Sequence, residues 1–69
     1  MTKEKLIALA SEYEQAMGYY ESSRERATLE RLIRMAETLR QYGINANPYD
    51  PDDETVGAWL AANVPTWPY

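Results

Sequence analysis

Residues 18–26 read GYYESSRER, and how this stretch folds decides the architecture of the chain. Before it, Leu6, Ala10, Tyr13, Met17 and Tyr20 recur at alternating spacings of four and three, with Leu9 and Ala16 beside them. That is the apolar stripe of an amphipathic helix, opposite Glu4, Ala8, Ser11 and Gln15. After it, a second stripe runs through Thr28, Leu29, Leu32, Ile33, Met35, Ala36, Leu39 and Tyr42. The two are out of phase. Extending the first rhythm past Tyr20 reaches Arg24, Ala27, Arg31 and Arg34, which are mostly cations. Gly18, Ser22 and Ser23 are poor helix-interior residues, and Ser22 with Glu25 has the spacing of a capping box. These features predict a tight turn near residues 20–23, with one long bent helix as the competing arrangement.

Working outward, Thr2 is a suitable N-cap and Glu4 suits the positive end of a helix running from about 3 to about 20. The second helix covers about 23–42 and has clear stop signals. Arg40 falls in its last turn, Gly43 is placed for the left-handed C′ position, and Ile44 can fold back onto Leu39. The segment NANPYDPDDE at 45–54 is rich in turn formers. Asp50 as N-cap, Pro51 at the first helical position and Asp53 at the third predict a short helix over about 51–63. Its Val56, Trp59, Leu60 and Asn63 share a face, and Trp59 is the expected lid over the open edge of the hairpin. The expectation is a single all-α domain over 1–69. It comprises an antiparallel helical hairpin, a short third helix, and an extended Pro- and aromatic-rich tail at 64–69.

Composition sets further bounds. Sixty-nine residues hold one small core, and within them there is neither cysteine nor histidine. Disulfides, zinc sites and iron–sulfur ligation therefore lack their usual ligands, and no cofactor is expected. No apolar run approaches the ~20 residues of a membrane helix. Two lysines precede a short apolar stretch at the N-terminus, but Glu4 interrupts them and SEYEQ follows at 11–15. No signal-peptide core develops, and the expectation is a cytoplasmic protein with no membrane contact. The net charge of −4 is unevenly spread. Residues 24–42 hold all five arginines against three glutamates, whereas 43–69 hold four acids and no cation.

Catalytic chemistry finds little support. DPDDE at 50–54 suggests calcium, yet counting from Asp50 the glycine position is Thr55 and the bidentate glutamate position is Ala61. These acids are better read as helix-start residues. No Ser or Thr has a histidine base, Glu12 and Glu14 flank the first stripe, and GYYESS is no phosphate loop. The expected catalytic, cofactor-binding and metal residues are none. The arginines of the second helix make RNA or DNA binding a candidate, but interleaved glutamates and an isoelectric point near 4.6 argue against it. PTWP at 65–68 is nominally a PxxP motif, yet the last cation before it is Arg40.

What remains is binding. Tyr49, Trp59, Trp67 and Tyr69 together with Asp50, Asp52, Asp53 and Glu54 form the expected partner-binding surface. Aromatics beside acids suit a protein partner with a basic site, for instance a nucleic-acid-handling host protein held in check by a small acidic inhibitor or adaptor. Compact phage and mobile-element inhibitors offer an analogy of size and charge. The structural alternative is a homodimer or larger helical bundle in which the stripes of two chains meet.

Overall fold

The structure, a computed structural model, describes residues 1–66. Trp67, Pro68 and Tyr69 lie outside the described residues, and with them the end of the expected tail. Three helices follow one another, α1 at Lys3–Ser23, α2 at Arg26–Gln41 and α3 at Thr55–Asn63, with no strand among the described residues. The hairpin is present: α1 packs on α2, and α3 packs on α1.

Helix α1 begins as its sequence dictates. Thr2 is extended, and its Oγ1 accepts the Lys5 N–H at 3.2 Å, satisfying one orphan donor of the first turn. The break between α1 and α2 falls later than the sequence implied and uses other chemistry. Helix α1 continues through Ser23 and ends on Arg24, whose φ of 56° places it in the left-handed region. The Arg24 N–H still bonds back to the Tyr20 carbonyl at 2.8 Å. Glu25 is extended, and α2 starts at the next residue, so only two residues link the helices. The Ser22–Glu25 capping box does not form. Ser22, still inside α1, donates its hydroxyl to the Tyr19 carbonyl at 3.1 Å, the back-bond that serine readily makes within a helix. The Glu25 carboxylate instead accepts the Tyr19 hydroxyl at 2.9 Å, latching the two helices across their link.

Two local choices here run against propensity. A non-glycine residue in the left-handed region costs about 1 kcal/mol, and Arg24 takes it. A glycine within a helix costs about 0.5–1 kcal/mol relative to alanine, and Gly18 stands five residues before the end of α1. A Cβ placed on Gly18 would meet nothing within 4 Å, so the fold itself does not require glycine there.

Helix α2 closes as expected. Gly43 has φ 85°, its N–H donates to the Arg40 carbonyl at 3.1 Å, and the Ile44 N–H donates to the Leu39 carbonyl at 3.0 Å. This is a Schellman closure, and it carries Ile44 into the core at 2% exposure. Arg40 then donates to the Ala46 carbonyl at 3.0 Å, pinning the chain as it leaves.

Helix α3 starts at Thr55 rather than near 51. Asp50 does not cap it. Its carboxylate accepts the Asp52 N–H at 2.9 Å, closing an Asx turn that uses up residues 50–52. Asp53 instead receives the Thr55 N–H at 3.2 Å and fixes the first turn. Val56 and Leu60, four apart, are fully buried on α1 together with Gly57. Trp59 is half-buried against the core, so the indole shares the lid with the aliphatic pair, which is the more deeply buried part of it.

The core is small and alanine-rich: Ala10, Ala16, Ala36 and Ala46 let backbones approach around Leu32, Leu39, Leu60 and Val56. Among the described residues Tyr13 is its single fully buried aromatic, 2% exposed, and its hydroxyl has no hydrogen-bond partner. Burial pushes the phenol up to about 12, with Asp53 and Glu14 adding to the rise and Arg40 opposing it. A raised folded pKa stabilises below the unfolded value of ~10 and loses that contribution as pH climbs through the folded value. Stability is therefore expected to fall between about pH 10 and 12 in urea titrations. Tyr13→Phe should flatten that fall and, by removing an unsatisfied polar atom, match or exceed wild-type stability at neutral pH by up to about 1–2 kcal/mol.

Candidate functional site

The link between α2 and α3 is built by acids acting on backbone. Asp53 is its centre. One carboxylate oxygen accepts the Asn47 N–H at 2.9 Å, and the other accepts both the Thr55 N–H and the Thr55 hydroxyl. Asn47 in turn accepts the Tyr49 N–H at 3.0 Å through its side chain. The segment between 47 and 55 is thereby closed on itself, with Pro48 turned inward and Tyr49 held 71% exposed at its tip.

This loop stands against one face of α1, and a groove runs between them. Its first part is a cleft of about 120 Å³. Met17, Tyr20 and Leu29 line it from the hairpin, and Pro48, Tyr49 and Pro51 line it from the loop. Glu21 and Arg24 stand on its rim, and the Arg24 guanidinium lies over the Tyr20 ring at 5.9 Å. The second part is a wider hollow of about 320 Å³ lined by Glu14, Gly18, Asp53 and Glu54. The two share Met17, Glu21 and Pro51, so they adjoin, the first largely apolar and the second lined by acids next to the start of α3.

The expected partner-binding residues divide accordingly. Tyr49 lines the cleft and Glu54 lines the acidic hollow. Asp50 and Asp52 are exposed on the loop beside them. Asp53 is half-buried and lines the hollow, yet its oxygens are engaged in holding the loop. Trp59 packs against the core, away from the groove. Trp67 and Tyr69 fall outside the described residues. Gly18, Glu21, Leu29, Pro48 and Pro51 also belong to the groove although sequence reasoning did not single them out as a surface. Only the proximity of α1 to a loop some thirty positions later joins them, and no local pattern encodes that.

The arginines of α2 are largely engaged. Arg31 pairs with Glu12 of α1 at 2.7 Å, and Arg26 faces Glu30 one turn on at 3.9 Å. Such exposed pairs contribute about 0–1 kcal/mol each, but they dilute any cationic face. Among the described residues no group of three or more acids is arranged to hold a metal ion, and no helix is long and apolar enough to cross a membrane. Compared with protein-family models, curated proteins and solved structures, the chain matches none.

Burial alone would raise the Asp53 carboxyl. The hydrogen bonds from the Thr55 hydroxyl and from the Asn47 and Thr55 N–H groups outweigh it and hold the group below its usual range. A depressed folded pKa gives stability that is present above the unfolded value and lost as pH falls through the folded one. Loop protection in hydrogen exchange should accordingly decline below about pH 4. Asp53→Ala should cost about 1–2 kcal/mol in urea unfolding, whereas Asp52→Ala should change stability by less than about 0.5 kcal/mol.

Proposed function

We propose that the protein is a non-catalytic binding protein. In this reading it docks through the groove between α1 and the 47–54 loop onto a basic site of another protein, as a small inhibitor or adaptor. The observation that supports it is the juxtaposition in that groove: an apolar cleft with an exposed tyrosine at its lip, adjoining a carboxylate-lined hollow. Apolar and aromatic contact gives affinity, and unlike charge gives orientation and a fast encounter. The chain's net charge of −4 adds long-range attraction for a cationic surface. A nucleic-acid-handling enzyme is a fitting target class, because its substrate channel presents basic groups that a folded acidic surface can occupy.

Self-assembly is the second reading, and α3 favours it. This helix is apolar around most of its circumference, and Ala58, Ala61 and Ala62 remain exposed. A second chain packing there would cover small residues suited to close helix approach.

Affinity capture with the wild type beside a Glu21→Lys, Asp52→Lys, Glu54→Lys variant tests the first reading. These three side chains are exposed, and the variant should fold. Proteins retained by the wild type should be basic, and the variant should bind them at least tenfold more weakly, with the wild-type interaction weakening as salt rises. Equal retention by both chains would refute the acidic-docking reading.

A further inference from the structure

We propose that the groove seats an amphipathic, basic helix of the partner protein, with the partner's backbone crossing α1 over Gly18. The proposal rests on the acidic-docking reading and adds the form and course of what docks. Two local costs bracket the groove. Gly18 lines its acidic part, where alanine would suit α1 better and where a Cβ would meet open space. Arg24 is on its rim, in a left-handed position that glycine would occupy more easily. A glycine where the helix wants a side chain, and a side chain where the turn wants glycine, are departures from local consistency of the kind that functional surfaces carry.

The glycine has a physical reason if another backbone comes close. Removing Cβ at a helix crossing lowers the surface locally and lets a second helix approach α1. The groove-lining residues of α1, Glu14, Met17, Gly18, Tyr20 and Glu21, continue to Arg24 at its C-cap and span about 15 Å, two to three turns of an apposed helix. No strand exists among the described residues, so no sheet edge offers backbone hydrogen bonds to an extended segment. Side-chain anchors at helical spacing are then the means of recognition. Charge sets the direction. Arg24 stands at the hairpin end, Glu21 lines both parts and Glu54 lines the hollow, so the apolar anchor of the partner helix enters the Tyr20–Tyr49 cleft and its lysines or arginines lie over the hollow.

The test uses the full chain and two labelled 16-residue peptides of identical composition, made of Leu, Lys and Ala. One carries leucines at helical spacing flanked by lysines, and the other is scrambled. Anisotropy titrations should show the patterned peptide binding at least tenfold more tightly than the scrambled one. Gly18→Leu should weaken that binding at least tenfold while still unfolding cooperatively near the wild-type temperature. Gly18→Ala should raise Tm by about 4–8 °C and yet weaken binding. Unchanged affinity in Gly18→Leu, a lowered Tm in Gly18→Ala, or equal binding of both peptides would overturn the proposal. Loss of binding in Glu21→Lys, Glu54→Lys with none in Gly18→Leu would remove the helix over Gly18 and leave acidic docking standing. Insensitivity to the charge reversal would remove both. Two further outcomes would overturn it by naming another occupant. A concentration-dependent dimer abolished by Gly18→Leu would identify a second copy, and tenfold tighter peptide binding by Trp67→Ala, Tyr69→Ala would identify the chain's own last residues.

Discussion

The structure depends on one constraint: two apolar stripes that cannot be continued into each other on a single helix. Past Tyr20 the first stripe would point Arg24, Arg31 and Arg34 inward, and none of these can be buried without a partner. The chain resolves the conflict with two residues. Arg24 takes the left-handed conformation and Glu25 an extended one, which reverses the helix direction and brings Leu32, Ala36 and Leu39 into one core with Ala10, Tyr13 and Ala16. A longer link would make the same reversal with less definition. This one is also held from the side, by the Tyr19 hydroxyl on Glu25 and by Arg31 on Glu12.

A hairpin of this size leaves one side of its core open, and the second half of the chain closes it by an economical route. The Schellman turn at Gly43 delivers Ile44, the Arg40 bond delivers Ala46, and the Asp53 carboxylate sets the angle at which α3 lays Val56 and Leu60 on α1. The acidic segment thus has two roles that separate by residue. Asp50 and Asp53 accept backbone N–H groups within the loop, and of the four acids only Asp53 is not exposed. The same closure that completes the core raises one wall of the groove. For this reason stability and binding meet in the 47–54 loop and can be pulled apart only by choosing among its acids.

Much of this was legible in the sequence. Both stripes, the Thr2 cap and the Gly43 closure follow from periodicity and from the needs of helix ends, which are local. What misled were residues with more than one use. Ser22 and Glu25 have the spacing of a capping box, but a serine in the last turn of a helix can bond its own i−3 carbonyl, and here it does. Asp50 and Pro51 look like a helix start, but an aspartate two residues before a free N–H closes an Asx turn equally well. Trp59 reads from its residue type as both lid and contact residue, and its half-buried packing against the core was decided by α3 lying on α1. The groove was the least legible feature, since Met17 and Gly18 meet Pro51 only in the folded chain.

The central claim is that the chain reverses at Arg24, and a single distance tests it. In the structure the Met1 amine donates to the Tyr42 hydroxyl at 3.2 Å, so the first and last turns of the hairpin lie side by side. Spin labels at Lys3 and Gln41, read by pulsed dipolar spectroscopy, should give a narrow distribution within the 30 Å long dimension of the molecule. A separation approaching ~60 Å, the length of an unbroken helix over the same residues, would contradict the account.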